Sequence, residues 1–198
     1  MLISCLNYKG GQGKSLWTAI LAGWAGATEV LDLDPRQGDA HQWADDAGVK
    51  SQLIWRNFDS VMRAAAESPD WFVADLPPHE GDESKAALRF SHLVVIPVTP
   101  SGSQDARAWG RMRAALEDAR NANPGMKAAV VINANRQTAL ARDFVEALQA
   151  WHAPSTGRGV MGVVPQRVAL AEAFAAGKVP TDPAVEVVLK RLRVFTRK

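Results

Sequence analysis

The sequence of 198 residues contains one cysteine, Cys5, and this scarcity excludes several classes of protein. A single thiol cannot form a disulfide within the chain, nor a multi-cysteine metal or iron–sulfur site, so the sequence indicates a reducing compartment. No apolar run approaches the roughly 20 residues of a membrane-spanning helix. The N-terminus has neither a basic leader nor a small-residue cleavage site, so we expect no secretory signal and a cytoplasmic protein.

Signatures of metal centres and of hydrolase triads are also missing. No Ser–His–Asp set can be identified, and no metal-ligand spacing connects the four histidines, His41, His79, His92 and His152. The net charge of +2 is too small to indicate a partner by itself. Because no repeat, low-complexity tract or linker rich in Gly, Ser or Pro interrupts the chain, we predict a single domain over residues 1–198.

What the sequence does contain is a regular alternation of short apolar runs with Ala-rich segments of helical length. The apolar runs predict strands at Leu2–Leu6, Val30–Leu33, Trp71–Ala74, Leu93–Ile96, Ala128–Ile132 and Val160–Val164, with a further short candidate at Gln52–Trp55. The Ala-rich segments predict helices at Ser15–Ala27, Ser103–Asn121, Thr138–Trp151 and Ala184–Arg197. This order predicts an α/β fold, a doubly wound and mainly parallel sheet with helices on both faces.

The stretch NYKGGQGKS, residues 7–15, lies between the first predicted strand and the first predicted helix. That context distinguishes a phosphate-binding loop from a chance cluster of glycines. The loop departs from the standard pattern because Tyr8 replaces its first glycine and Lys9 is an additional lysine. We favour nucleotide binding over a glycine-rich turn with a purely structural purpose.

Each residue type in this loop has a chemical reason to be there. The glycines allow backbone N–H groups to approach a polyphosphate, and the following helix N-terminus favours negative charge. Lys14 would reach the β- and γ-phosphates, and Ser15 would place its hydroxyl on Mg²⁺.

Three aspartates stand at the carboxyl ends of predicted strands, where ligands bind in such sheets. Asp32 and Asp34 are two residues apart in an extended segment, so both carboxylates point to one face. One could hold water around a magnesium ion while the other orients an attacking water, although an aspartate before Pro35 is also typical of a turn. Asp75 ends an apolar run, which is the Walker B arrangement.

With these motifs in place, the chain resembles the ParA family of deviant-Walker ATPases, in particular the short members that consist of the ATPase domain alone. The resemblance rests on KGGQGKS (9–15), DLDP (32–35), FVADLPP (72–78), VVIPVTPS (94–101) and VPQRVALAEAFAAGK (164–178). It implies a homodimer that encloses two ATP molecules with Mg²⁺, in which Lys9 reaches the phosphates held by the other subunit. It also implies that Asp34 positions the attacking water, while Ser15, Asp32 and Asp75 act around the metal.

The same resemblance gives a set of catalytic and nucleotide-contacting residues. Lys9, Lys14 and Asp34 are the catalytic candidates, and the nucleotide contacts are Lys9, Gly10, Gly11, Gln12, Gly13, Lys14, Ser15 and Leu16, with Asn133 and Pro165 facing the base. Three features depart from the family pattern: Leu16 replaces a second threonine, Arg36 interrupts the second motif, and the loop at 100–105 is one residue longer.

The predicted C-terminal helix, residues 184–197, is rich in basic residues. Against the single Glu186, the last 13 residues carry Lys190, Arg191, Arg193, Arg197 and Lys198. The resemblance implies that they bind double-stranded DNA without reading its sequence, which would place the protein on the nucleoid. Two alternatives are the solvated side of a helix whose apolar side packs on the domain, and a basic amphipathic helix on a membrane, which we disfavour.

The resemblance therefore predicts an ATPase that segregates DNA or positions another cargo. Because the short family members lack an N-terminal helix-turn-helix domain, we expect the adaptor that binds the centromere or cargo, and stimulates hydrolysis, to be a separate protein. Two other functions stay open at this point: a MinD-like membrane-associated positioning ATPase, and a small-molecule ligase or kinase of the same superfamily.

Overall fold

The computed structural model describes residues 1–100, 103–133, 139–151, 153, 157–165 and 168–196. Its strands are β1 (Leu2–Cys5), β2 (Glu29–Asp32), β3 (Ser51–Leu53), β4 (Phe72–Asp75), β5 (Leu93–Val98), β6 (Lys127–Asn133) and β7 (Arg158–Val164). Its helices are α1 (Lys14–Ala25), α2 (Asp39–Asp46), α3 (Phe58–Glu67), α4 (Asp82–Phe90), α5 (Ser103–Ala122), α6 (Ala139–Ala150), α7 (Val168–Ala175) and α8 (Pro183–Thr196).

The strands form one sheet in the order β3-β2-β4-β1-β5-β6-β7. Every pair of neighbouring strands in the described part of the chain is parallel, so the predicted α/β class is confirmed. On one side of β1 the chain forms β2 and β3 and then returns to place β4 between β2 and β1, and from β5 onward it builds the sheet on the other side of β1. This reversal creates a crevice at the carboxyl end of β1, which is where ligands bind in doubly wound sheets.

The strands are mostly apolar because both faces of the sheet are covered by helices. Successive residues of β1 show this: Leu2 belongs to the core on one side of the sheet, and Ile3 and Cys5 belong to the core on the other. The first core includes side chains of α3, α4, α5 and α6, and the second includes side chains of α1, α2, α7 and α8. The central strands are thereby held rigidly between two helical layers.

The predicted strands and helices occur at the predicted places, with end points that differ by a few residues. The helix predicted to continue to Ala27 ends at Ala25, because Gly26 adopts a left-handed conformation that closes it. The helices α2, α3 and α4 are absent from the sequence prediction, and α7 lies within the motif at 164–178, where the family resemblance implies a helix. Among the described residues, no helix combines the length and the apolar character needed to cross a bilayer.

Candidate nucleotide-binding site

The loop between β1 and α1, residues 6–13, lies at the crevice and leads directly into the helix. Gly11 and Gly13 both have positive φ angles, 70° and 82°, which side chains disfavour. A Cβ atom on Gly13 would also lie 2.5 Å from Asn133 Nδ2. Glycine is therefore required here on two grounds, and the loop leaves the N-terminus of α1 accessible to an anion.

Side-chain hydrogen bonds fix this loop to neighbouring strand ends. Gln12 Oε1 accepts a hydrogen bond from the backbone N–H of Thr99 at 2.6 Å, and Asn133 Nδ2 donates to the Gln12 carbonyl at 3.4 Å. Asn7 Nδ2 donates to the Pro97 carbonyl at 2.8 Å. The loop is thus tied to the ends of β5 and β6, so its shape is prepared before a ligand arrives.

The centre of the site is the carboxylate of Asp75, which is buried at the end of β4. Ser15 Oγ donates a hydrogen bond to Asp75 Oδ2 at 2.6 Å, and Thr18 Oγ1 donates to Oδ1 at 3.1 Å. The pKa of Asp75 is raised to about 7, first by burial and then by the charge of Asp32, against the opposing effects of Ser15, Lys14 and Thr18. A cation that entered here would favour the ionised carboxylate.

Asp32 lies directly beside Asp75 in the sheet register, and its own carboxylate already has two backbone partners. Oδ1 accepts the N–H of Asp34 at 2.9 Å, and Oδ2 accepts the N–H of His41 at 3.0 Å. Burial raises the pKa of Asp32, and these two hydrogen bonds oppose that effect. The geometry gives Asp32 the task of holding the loop after β2, while a role around the metal stays a prediction.

Asp34 lies within that loop and is largely buried. Its backbone carbonyl accepts hydrogen bonds from the N–H groups of Gln37 and Gly38, at 3.0 and 2.9 Å. The backbone of Asp34 thus forms the turn that the sequence suggested as an alternative. Its carboxylate has no hydrogen-bond partner among residues 1–100 or the later described segments, so it is available for a ligand.

Thr18 is the residue of this site that the sequence interpretation missed. It follows Ser15 by three positions, so both hydroxyls lie on the side of α1 that faces β4. The Cys5 thiol also hydrogen-bonds to Thr18, and burial is the main reason why the pKa of Cys5 is raised. The i, i+3 spacing of two hydroxyls in α1 is the signal that could have identified Thr18.

Replacement of Thr18 by valine tests its contribution to the buried carboxylate. We expect Thr18→Val to lower the free energy of unfolding by about 1–3 kcal/mol at pH 8, since an ionised Asp75 loses one of its two donors. At pH 5, where Asp75 is protonated, the loss should be smaller. Urea unfolding measures both values. Thr18→Ser, which keeps the hydroxyl, should recover most of the stability, and an equal loss in the two variants would contradict this role.

The additional lysine of the loop is directed into its own chain. The Lys9 ammonium group forms an ion pair with Asp105 on α5, whose side chain is only 2% exposed. The backbone N–H of Lys9 is held by Asn7 Oδ1 at 3.0 Å. Sequence reasoning did not find Asp105, and the predicted contact of Lys9 with a second subunit stays a prediction.

Two residues predicted to face the base are in different situations. Asn133 contacts the loop as described above, and Pro165 follows β7 and is half-buried. Leu16, at the position of the missing threonine, packs partly buried against the core beneath α1. The motif residues 101–102 and 166–167 lie outside the described part of the chain.

The basic C-terminal helix is confirmed as a helix, α8, and its apolar side packs on β7. Its buried residues are Val185, Val188, Leu192 and Phe195. Lys190, Arg191 and Arg193 are exposed. Arg191 also donates a hydrogen bond of 2.8 Å to the carbonyl of Met161, the extra residue at an irregularity of β7. Arg197 and Lys198 lie outside the described residues.

The side chains at this site suit the ATP and Mg²⁺ that the sequence predicts. A hydroxyl and a carboxylate oxygen, from Ser15 and Asp75, lie side by side next to the loop, and oxygen ligands suit Mg²⁺. No group of three or more acidic, His or Cys ligands occurs in the described segments. That is consistent with a magnesium ion held by few protein groups together with the phosphates of a nucleotide.

Comparisons with known proteins agree with this geometry. A family model described as the CobQ/CobB/MinD/ParA nucleotide binding domain matches residues 3–181. The maintenance of carboxysome distribution protein A of Halothiobacillus neapolitanus (strain ATCC 23641 / c2) is 32% identical over 142 residues, 66% of this chain. The aligned stretch spans 65% of that relative's length.

Two solved structures share the fold at 15% sequence identity. Apo McdA of Cyanthece has a TM-score of 0.73, with 99% of each chain covered. A putative plasmid partition protein of Borrelia burgdorferi B31, bound to AMPPNP, has a TM-score of 0.68, with 98% of each chain covered. Together with the family match, they confirm the ParA-type resemblance seen in the motifs. The chain belongs to the CobQ/CobB/MinD/ParA family of nucleotide-binding domains.

Proposed function

We propose that this protein is a positioning ATPase that forms an ATP-enclosing homodimer, binds DNA without sequence preference and places a cargo through cycles of hydrolysis. The observation that carries the proposal is the contact of Ser15 with Asp75 beside a prepared phosphate loop that has an additional lysine. The name of the Halothiobacillus relative, which refers to the distribution of carboxysomes, supports a positioning role.

Each part of the site has a task in that reaction. Lys14 and the backbone N–H groups at the start of α1 bind and orient the phosphates. Ser15 and Asp75 would hold Mg²⁺, which would neutralise charge on the transferred phosphoryl group. Asp34, whose carboxylate is available, orients the attacking water. Burial raises the pKa of Asp75, so its ionised form, which would be the ligand of Mg²⁺ beside Ser15, is disfavoured unless a cation is bound there.

The ion pair between Lys9 and Asp105 gives the dimer its switch. In a single chain the Lys9 ammonium is neutralised by a buried carboxylate. In the proposed dimer Lys9 leaves Asp105 for the phosphates bound by the second subunit, so the phosphate charge must offset the loss of a partly buried pair. Hydrolysis followed by release of the γ-phosphate as inorganic phosphate removes that charge, and Lys9 returns to Asp105. ATP thereby becomes the condition for association.

The geometry of α8 supports DNA over a membrane as the surface on which the protein acts. A membrane helix needs free apolar residues, but the apolar side of α8 is buried against the domain, and only Val187 and Val194 are exposed among its large apolar residues. Lys190, Arg191 and Arg193 remain exposed and near one another along the helix. Exposed cations of this kind supply salt-sensitive affinity for phosphate, and two subunits double the footprint.

The proposal is tested with an Asp34→Ala variant, in which hydrolysis is expected to be slow. With ATP and Mg²⁺ it should sediment as a dimer, twice the 21.4 kDa of one chain, and be retained on mixed-sequence duplex DNA. A strict monomer at micromolar concentration would contradict the ATP-enclosing dimer.

The contribution of α8 is tested in the same background. Replacing Lys190, Arg191 and Arg193 together by alanine should weaken DNA binding about tenfold or more and reduce its salt dependence, with dimerisation unchanged. The matched control removes three exposed cations elsewhere, Arg56, Arg63 and Arg142. DNA retention that is equal in the two triple variants would assign DNA binding to net charge rather than to α8.

A further inference from the structure

A second basic surface lies beside the phosphate loop, and the proposed reaction does not use it. Arg107 and Arg111 are one turn apart on α5, and both are exposed. With Ala108, and with Tyr8 and Lys9 of the loop, they line a cavity of about 290 Å³. This group of five residues is called the α5 arginine pocket below.

The two guanidinium groups of the pocket lack internal compensation. Neither Arg107 nor Arg111 forms an ion pair with any residue that the structure describes, whereas Arg113 on the same helix pairs with Glu117 at 3.6 Å. Like charges at i and i+4 repel each other and destabilise a helix. An anionic occupant would relieve that repulsion, and two neighbouring guanidinium groups suit carboxylates or phosphates, which accept paired hydrogen bonds from arginine.

The size and the lining of the pocket favour a peptide as its occupant. Its volume is close to the lower limit of about 300 Å³ for small-ligand sites, so it admits a few side chains. Arginine and tyrosine are also the residue types that are enriched in protein-binding hot spots. The exposed cations of α8, by comparison, lie on the solvent side of a helix whose opposite side packs on the domain.

We propose that the α5 arginine pocket binds an acidic segment of a partner protein, with Asp or Glu side chains on Arg107 and Arg111. Such a segment also reaches Lys9, because Lys9 lines the same cavity. Its carboxylates then compete with Asp105, two residues before Arg107, for the Lys9 ammonium. Docking therefore biases Lys9 away from its own chain. This last consequence rests on the proposed function, whereas the docking itself does not.

The docking is measured on the full chain without nucleotide, by fluorescence anisotropy of labelled octaglutamate. We expect the double substitution Arg107→Ala and Arg111→Ala to weaken binding about tenfold or more, because two charge-assisted contacts are lost. The double substitution Arg113→Ala and Arg142→Ala, with the same change of net charge, should weaken it less than about twofold. Arg107→Lys with Arg111→Lys should retain an intermediate affinity, since lysine keeps the charge but not the paired geometry.

Three results would overturn the proposal. The first is that octaglutamate does not bind the wild-type chain at low salt. The second is an equal loss of affinity in both double alanine variants, which would reduce the effect to net charge. The third is that a short duplex displaces octaglutamate from the wild-type chain and itself loses affinity in the Arg107/Arg111 variant, which would make the pocket a DNA site.

The consequence for Lys9 has its own readout. Octaglutamate should change the ATP concentration needed for dimerisation of the wild-type chain, and have no such effect on the Arg107/Arg111 variant. If ATP fails to dimerise the chain while octaglutamate binds, the proposed function fails and the docking stands. If ATP dimerises the chain but octaglutamate does not bind, the docking fails alone.

Discussion

Lys14→Ala is expected to reduce the affinity for ATP by about 10²- to 10³-fold, while Lys9→Ala leaves it within about threefold of wild type. Lys14 is largely buried at the first position of α1, beside Asp75 and at the helix N-terminus. Its charge is held where the β- and γ-phosphates are expected. Titration of a fluorescent ATP analogue measures both variants.

The effect of Lys9→Ala should instead appear in association and turnover. In one chain Lys9 pairs with Asp105 on α5, so its removal takes little from the phosphates bound by the same chain. In the proposed dimer it removes the charge that Lys9 would donate to the phosphates of the second subunit. The fraction of dimer seen by sedimentation with ATP should therefore fall to that of the chain without nucleotide. The release of phosphate from ATP should likewise fall to background.

Asp105→Asn provides the reciprocal control. It frees Lys9 from its buried carboxylate without changing the size of the side chain, so ATP-dependent dimers should form at a lower protein concentration than in the wild type. The assignment of different roles to Lys9 and Lys14 is wrong if Lys9→Ala loses ATP binding as severely as Lys14→Ala. The trans role of Lys9 fails if both dimerisation and turnover survive its removal.

The parts of the site that are visible in the sequence are those whose signal is local. A glycine loop between an apolar run and a helical segment is contained in nine residues, and the acids follow their own strands. Parallel register then brings Asp32 and Asp75 side by side, because both end their strands at the same edge. For these residues the local pattern and the tertiary position coincide.

Asp105 and Thr18 have no such local signal. Asp105 reaches Lys9 across a separation of 96 residues, so only the tertiary fold relates the two side chains. In the sequence, Thr18 is one polar residue in a largely apolar helix. Its contact with Asp75 arises only because β4 packs beside α1. Helices α2, α3 and α4 were missed for a different reason: each has 8 to 10 residues, shorter than the window of about 11–18 residues over which helical periodicity becomes distinct.

The structure adds contacts to residues that the sequence singles out. Asp32 is predicted to act around the metal, and both of its oxygens also hold the backbone of the loop that carries Asp34. Asn133 is predicted to face the base, and its amide also donates a hydrogen bond to the phosphate loop, where it lies close to Gly13. Residue type and position identify the members of a site, but their tasks depend on hydrogen-bond partners that come from other strands.

The pH dependence of stability should reveal the buried carboxyl of Asp75. Its pKa is about 7 in the folded chain, against 3.8 as the ordinary value, because of burial and the neighbouring Asp32. The folded state therefore holds this proton more tightly than the unfolded state. The stabilising contribution of this proton is fully present below pH 4 and is lost as the pH rises to about 7. At 1.36 kcal/mol per pKa unit, the loss is about 4 kcal/mol.

Asp75→Asn carries no such proton and isolates the effect from the other titrating groups. In nucleotide-free protein, the free energy of unfolding of the variant relative to wild type should rise by about 4 kcal/mol between pH 4 and pH 8, in favour of the variant. Urea unfolding at several pH values measures this difference. Asp143→Asn, at an exposed position, should show little change over the same range. ATP with Mg²⁺ should stabilise the wild type at pH 8 more than Asp75→Asn, because only the ionised carboxylate attracts the cation. A difference between Asp75→Asn and wild type that is independent of pH would show that Asp75 is ionised in the folded chain throughout this range.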